Sequence, residues 1–171
     1  MTTSVIPMLS HYCERPVPSV HSVPQPRFAT DKPRGLWVSV DDGGDGWAEW
    51  CRHEGFRLDS LAVEHSVVLK PEARILLLST AEAVDRFTDT FISTGDSLSP
   101  LLERHGRNIR WADVAARYQG IIIAPYRWDR RLADGCLWYY GWDCASGCIW
   151  DASAVASIDV RATAEPSQVA A

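Results

Sequence analysis

The chain has 171 residues, of which 46% are hydrophobic and 23% charged, so it fits one globular domain with its own core and not an extensively disordered chain. The net charge of −5 disfavours a nucleic-acid-binding protein that acts chiefly through phosphate contacts, because such proteins are usually basic. The sequence shows neither a membrane-length apolar run nor the pattern of a signal peptide, so we expect a cytoplasmic protein with no membrane partner and reduced cysteines.

The first half of the chain alternates strand patterns with a loop and one short helix. β-forming residues predict strands over 9–13 and 35–40, and five prolines predict an extended loop over 14–33. Asp45 is expected to cap a short helix that follows the second strand. Apolar residues at every second position over 61–69 predict a half-buried strand.

The second half carries two further helix patterns between strands. A compact apolar run predicts a strand over 74–78, and Ser79 with Glu82 three residues later forms a capping box that opens a helix. Apolar residues at helical spacing predict another helix over 109–118. A buried strand over 120–124 is expected directly after it.

The C-terminal part is expected to be a β-hairpin followed by a last strand. The hairpin pairs 137–143 with 147–151 around a turn at Ala145 and Ser146, and the strand covers 156–161.

This order of elements predicts an α+β fold: a mainly antiparallel, split β-sheet with about three short helices. Residues 1–162 are expected to form one domain, and 163–171 a disordered tail. The sequence contains neither the glycine-rich dinucleotide motif nor the P-loop motif, which excludes phosphate cradles of those two kinds.

Aromatic and polar residues on the first two strands and the first helix could form a ligand cleft. His11 and Tyr12 lie on one predicted strand, Trp37 and Ser39 on the next, and Trp47 follows ten residues after Trp37. An imidazole can bond a ribose hydroxyl, two tryptophans can form the walls of a slot for a flat ring, and a serine can hold its polar edge. The alternative is that these side chains belong to the core.

The segment 138–151 combines aromatic residues with two carboxylates, Asp143 and Asp151. A carboxylate beside aromatic walls is suited to stabilise a developing cation or to act as a base, whereas the structural alternative is a turn cap. Cys144 and Cys148 are spaced more loosely than most structural zinc ligands, so we expect no metal site.

Two other features have a structural interpretation as the first choice. His65 lies on the apolar face of its predicted strand and is expected to be a core histidine. Arg127, Arg130 and Arg131 follow a buried strand and are expected in a solvated loop, with phosphate binding as the functional alternative.

Taken in order, four segments of the chain resemble the ADP-ribosyltransferase-like fold, and in particular its small phage-type members. Together they cover about half the chain. The first is a strand with a histidine, Ser10–Tyr12, and the second is a glycine–aromatic–serine strand, Gly35–Ser39, followed by a helix with an aromatic residue. The third is a helix end that enters a late strand, Tyr118–Ile123, and the fourth is a closing strand, Cys148–Val155.

The resemblance implies a cleft that binds NAD as substrate. It places His11 at the adenosine ribose and Trp37, Ser39 and Trp47 around the nicotinamide, with Tyr12 beside them. The position of the family's catalytic glutamate is occupied by Ser146 in this chain. The acidic role would then fall to Asp143, the nearest carboxylate, or to Asp151.

The resemblance thus implies NAD-dependent transfer of ADP-ribose to a macromolecular acceptor, protein or nucleic acid, with release of nicotinamide. Two other functions stay open. One is a non-catalytic phage-type protein that inhibits a host protein through its tryptophan-rich segment, since aromatic residues are enriched in interface cores. The other is an enzyme that acts on a nucleotide or nucleobase.

Overall fold

The computed structural model describes residues 7–41, 43–93 and 108–163. Within them the chain forms an α+β fold with three α-helices and a seven-stranded, mostly antiparallel sheet, as the sequence predicts. The strands are β1 Leu9–Cys13, β2 Leu36–Val40, β3 Val63–Leu69, β4 Ile75–Leu78, β5 Gly120–Ile123, β6 Ser146–Ile149 and β7 Val155–Thr163. The α-helices are α1 Trp47–Glu54, α2 Ala81–Phe91 and α3 Trp111–Ala115, and the 3-10 helices are Leu58–Leu61, Trp128–Arg130, Leu137–Gly141 and Ala152–Ala154.

The sheet has the order β4-β5-β6-β2-β1-β3-β7. Only β4 and β5 pair in parallel; every other neighbouring pair of these strands is antiparallel. The sheet is therefore continuous, so the split sheet that the sequence predicted is wrong. Its shortest ladder is that of β1 with β2, which pair through Leu9 with Val40 and Ser10 with Ser39 alone.

The junction of β1 with β2 joins two groups of strands that are paired over longer stretches. β1 pairs with β3 over five residues, and β2 pairs with β6 over four. Two well-paired groups of strands thus meet at a contact only two residue pairs long. Beyond that contact, β1 and β2 no longer share a hydrogen-bond ladder, which leaves an opening between the strand ends.

An aromatic cluster fills the core where α2 and α3 pack. The Phe87 ring lies 5.8 Å from that of Trp111 and 5.1 Å from that of Trp138, and both tryptophans are fully buried. The Trp138 indole donates a hydrogen bond to Thr88 Oγ1 at 2.9 Å, so its polar nitrogen is satisfied inside the core.

The predicted hairpin around Ala145 and Ser146 is wrong. Leu137–Gly141 is a 3-10 helix, and β6 pairs with β2 and β5 and not with the segment that precedes it. Trp138, Tyr139 and Trp142 are all buried. A strand directs neighbouring side chains to opposite faces, whereas a helical turn can place these three positions on one face.

Local capping also differs from the sequence prediction at both predicted caps. Gly46, and not Asp45, is the residue that directly precedes α1. Because glycine has no side chain, it forms no side-chain cap. Thr80, and not Ser79, caps α2: its hydroxyl accepts a hydrogen bond from the Ala83 N–H. Both shifts are one residue long, which is the usual uncertainty of a cap position read from a sequence.

Thr163, which the sequence analysis assigned to the tail, belongs to β7 and pairs with Val63. The remainder of the predicted tail, 164–171, lies outside the described residues. The five cysteines are free thiols. The described part of the chain has no helix that is both long and apolar enough to cross a bilayer.

Candidate functional site

A cavity of about 310 Å³ lies where β1 and β2 separate, and it opens to solvent. We call it the β1–β2 cleft. Seven of the eight residues that the sequence predicts as site residues line it, namely His11, Tyr12, Trp37, Ser39, Trp47, Asp143 and Ser146. Asp151 does not. The fold thus brings together β1, β2, the start of α1 and the segment that enters β6.

The imidazole of His11 occupies the opening between β1 and β2. Its Nδ1 lies 2.7 Å from the carbonyl oxygen of Trp37, so Nδ1 carries a proton and donates it. Burial lowers the pKa of His11, although the hydrogen bond to Trp37 works in the opposite direction. The neutral ring leaves the lone pair of Nε2 able to accept a hydrogen bond, for example from a hydroxyl.

His65 is a core histidine, as the sequence predicts. Its side chain is 1% exposed. The Val17 N–H donates to Nε2 at 3.0 Å, and Nδ1 lies 3.3 Å from the carbonyl oxygen of His11. Since both ring nitrogens are used by the backbone, His65 supports the strand that carries His11. Its ring lies 5.9 Å from that of His11 and helps to lower the pKa of His11.

Three buried serines form a row across the floor of the cleft. Ser10, Ser39 and Ser146 are register neighbours on β1, β2 and β6, and all three line the cavity. The Ser10 hydroxyl donates to the carboxylate of Glu64 at 3.3 Å, and that of Ser146 to the carbonyl oxygen of Cys144 at 2.9 Å. The floor is therefore polar but uncharged.

Ser39 also organises the start of α1. Its hydroxyl donates to Asp41 Oδ1 at 2.5 Å and accepts the Trp47 N–H at 2.8 Å. The hydroxyl of Tyr12 donates to the other oxygen of Asp41 at 3.2 Å. Ser39 thus serves the helix start as a cap does, and it holds Trp47 at the edge of the cleft.

The two tryptophans of the predicted slot both line the cleft, and each rests against another aromatic ring. Trp37 packs edge-on against Trp142, with ring centroids 4.9 Å apart. Trp47 stacks on Trp50 at 5.2 Å, and Phe56 packs against its edge. These neighbours fix both indoles, which keeps the space beside them available to a ligand.

Asp143 is a partly buried carboxylate on the wall of the cleft. Burial raises its pKa, while nearby Lys32 and Arg131 lower it. Arg131 Nη2 donates to Asp143 Oδ1 at 3.2 Å. The guanidinium lies 5.6 Å from the ring of Trp128 and 5.2 Å from that of Tyr140, so the arginine that holds Asp143 is itself held.

This arrangement differs from the solvated loop that the sequence predicts for the arginine run. Arg127 pairs with Asp129 at 2.9 Å, and Arg130 makes two bonds to Asp85, at 2.7 and 2.8 Å. All three arginines are therefore engaged by carboxylates, which leaves them poorly placed to bind phosphate.

Asp151 is a capping residue and not a member of the cleft. Its carboxylate accepts hydrogen bonds from the Ser153 N–H at 2.9 Å and from Gln119 Nε2 at 3.0 Å. These bonds lower its pKa to about 2. Of the two carboxylates considered from the sequence, only Asp143 lines the cleft.

Among the residues that belong to the cleft or hold it but were not predicted as site residues are Lys32, Arg57, Trp142 and Asp41. Asp41 directly follows β2, and a strand end is a common place for a site residue. Lys32 is one of two lysines in the chain, and Trp142 is next to Asp143. No sequence pattern distinguishes Arg57.

Comparison of the chain with protein families, with curated proteins and with solved structures gave no match. Within the described residues, no group of three or more histidine, cysteine or acidic side chains is arranged to hold a metal ion.

Proposed function

We propose that the β1–β2 cleft binds NAD and that the protein transfers ADP-ribose from it to a macromolecular acceptor, with release of nicotinamide. The observation that carries the proposal is the convergence of His11, Trp37, Trp47 and Asp143 on one cavity, although they come from four separate segments. The sequence resemblance implies that these residue types form one NAD site, and the fold brings them to one cavity.

The cleft supplies the contacts that the nicotinamide half of NAD requires. Trp37 and Trp47 offer flat apolar walls for the ring, and His11 Nε2 offers an acceptor for a ribose hydroxyl. A volume of about 310 Å³ is at the lower end for ligand pockets, roughly 300 to 1,000 Å³. Because the cleft is open to solvent, the rest of a dinucleotide can extend past its rim.

Asp143 supplies the negative charge that the reaction needs. In the transfer step, the bond between ribose C1′ and the nicotinamide nitrogen breaks, and its electron pair leaves with neutral nicotinamide. Positive charge develops on the ribose before the nucleophile of the acceptor, which gives up a proton, bonds to C1′. An ionised carboxylate fixed beside the ribose stabilises that charge without reorganisation, and the bond from Arg131 fixes Asp143.

The inhibitor alternative loses its main support. It depended on a tryptophan-rich segment that presents aromatic rings to a partner, but Trp138, Trp142 and Trp150 are 0%, 1% and 4% exposed. Of the aromatic residues in the segment 138–151, Tyr140 alone is exposed, so the tryptophans on which this alternative was based do not face a partner.

Titration of the protein with NAD tests the proposal, because Trp37 and Trp47 would report occupancy of the cleft. We expect quenching of tryptophan fluorescence together with nicotinamide release on longer incubation. A Trp47→Leu variant should lose most of the quenching that ligand binding causes, whereas Trp128→Leu, an exposed tryptophan outside the cleft, should not. Absence of both quenching and nicotinamide release in the unmodified protein would refute the proposal.

A further inference from the structure

Two basic side chains, Lys32 and Arg57, line the β1–β2 cleft. Neither forms an ion pair with any residue that the structure describes, in contrast to Arg127, Arg130 and Arg131 of the neighbouring wall. An unpaired cation on the wall of a cavity is available to a ligand. In a protein of net charge −5, two such cations in one cavity indicate that the ligand is an anion.

Lys32 is held at the side of the cleft that Trp37 forms. Its Nζ lies 5.3 Å from the centroid of the Trp37 ring. Gly141 leaves room for the aliphatic part of the side chain, since a Cβ at that position would stand 2.9 Å from Lys32 Cε. The ammonium group is thereby placed beside the flat ring that the proposed ligand would contact.

Arg57 enters the cleft from the loop after α1. It is the one non-glycine residue with a positive φ, 46°, in the described part of the chain. A side chain in this conformation costs free energy, and such strained positions concentrate at functional sites. The preceding residue, Phe56, packs against Trp47, so Arg57 is tied to the second aromatic wall.

The cleft holds more positive than negative charge. Asp143 is the one acidic residue that lines the cavity; it forms its ion pair with Arg131, and the charge of Lys32 also lowers its pKa, so Asp143 alone cannot balance Lys32 and Arg57. The floor of serines carries no charge. A nucleotide combines a flat ring with an anionic group. Two cations from separate loops suit a ligand with two linked phosphates better than a ligand with a single carboxylate.

We infer that Lys32 and Arg57 bind the diphosphate of the dinucleotide, so that the cleft selects nucleoside diphosphates over unphosphorylated nucleosides. The identification of the ligand as NAD rests on the proposed function, whereas the diphosphate subsite rests on the two cations. The selectivity follows because each phosphate contact to a cation is a charge-assisted hydrogen bond, which a nucleoside cannot form.

The test compares charge-removing variants with matched controls in the full chain. Dissociation constants for NAD and for ADP are measured at low and high salt for Lys32→Gln and Arg57→Gln. The controls are Lys70→Gln, at the only other lysine, and Arg52→Gln, on the exposed face of α1. We expect each cleft variant to bind both ligands about tenfold to a hundredfold more weakly, the effect expected for a hydrogen bond to a charged group.

Three further results complete the test. The affinities of the unmodified protein should fall as salt rises, Arg57→Lys should restore part of the binding, and nicotinamide riboside should bind all the variants equally. Unchanged melting temperatures would show that the variants are folded. If the cleft variants bind NAD and ADP as tightly as the controls do, or if the unmodified protein binds neither, the inference is wrong.

The same measurements separate this inference from the proposed function. Weaker ADP binding in the cleft variants, with no nicotinamide release by any protein, would support the diphosphate subsite and refute the transferase. Nicotinamide release by all variants with equal NAD affinity would support the transferase and refute the subsite.

Discussion

Asp143 and Ser146 lie three residues apart in sequence and line the same cleft from different positions. Ser146 is the first residue of β6 and faces Ser39 across the strand pair, whereas Asp143 stands on the wall before the strand begins. In the proposed transferase, the position that the resemblance assigns to the acidic residue therefore carries a neutral hydroxyl. Asp143, the carboxylate that we propose for that role, reaches the cleft from the segment that precedes β6.

The ionisation of Asp143 should control the acid side of the pH profile of nicotinamide release. Arg131 lowers the pKa of Asp143 against the raising effect of burial. In Arg131→Gln the pKa of Asp143 rises, so less carboxylate is ionised at a given acidic pH. We expect the acid limb of kcat/KM to move to higher pH.

The control, Arg127→Gln, removes the same charge from an arginine that pairs with Asp129, and its acid limb should stay in place. An unmoved limb in Arg131→Gln would mean that Asp143 is not the titrating group.

At the scale of elements, α1 is positioned by contacts that a sequence pattern does not reveal. The residue before the helix is Gly46, and the hydroxyl that receives the Trp47 N–H comes from Ser39 on β2. The sequence suggests an acidic cap at Asp45 because local patterns describe neighbours in the chain. The actual acceptor is eight residues away from the amide that it binds.

Gly46→Ala should destabilise the protein and weaken ligand binding. A Cβ at this position would collide with Asp41 Oδ1 and stand 2.9 Å from Ser39 Oγ, although the φ of −80° suits alanine. We expect a loss of about 1–3 kcal/mol in the free energy of unfolding, as for other overpacked sites.

Urea unfolding of Gly46→Ala beside Gly43→Ala measures this effect. A Cβ at Gly43 meets nothing within 4 Å, so its change should stay within about 0.5 kcal/mol. Equal stability of the two variants would show that the Ser39–Asp41 arrangement does not depend on close packing at Gly46.

Most elements could be predicted from the sequence because their periodicity is local. The alternation over β3 and the helical spacing around Phe87 are recorded directly in the order of residues. The 3-10 helix Leu137–Gly141 was missed although its signal was present: Trp138, Tyr139 and Trp142 are spaced for one helical face. The aromatic composition of the segment favoured a strand instead.

At the scale of the whole molecule, the pairing of strands could not be predicted from the sequence. β6 lies between β5 and β2, and β1 meets β2 through two residue pairs. Such contacts join distant parts of the chain and leave no local pattern. This pairing creates the cleft, because β1 and β2 separate there and His11 bonds the carbonyl oxygen of Trp37 across the gap.

The residues of the candidate site were predictable to the extent that a family resemblance selected them. Apart from Asp151, they converge on the cleft. The positions of Lys32 and Arg57 in the cleft could not be predicted, since Lys32 lies in the proline-rich loop and Arg57 in the loop after α1, which has no sequence signature. Their place in the site follows only from the folded chain.

We propose that the protein cleaves the bond between nicotinamide and ribose in the β1–β2 cleft, with Asp143 as the carboxylate that stabilises the positive charge on the ribose. Nicotinamide release from NAD by the unmodified protein, by Asp143→Asn and by Asp151→Asn tests it most directly. We predict that Asp143→Asn binds NAD but releases nicotinamide about 10²–10³ times more slowly, the usual effect of removing one preorganised electrostatic group. Asp151→Asn should stay active, because asparagine also caps a helical turn. Full activity in Asp143→Asn with none in Asp151→Asn would contradict the assignment, and an unmodified protein that releases no nicotinamide would contradict the transferase itself.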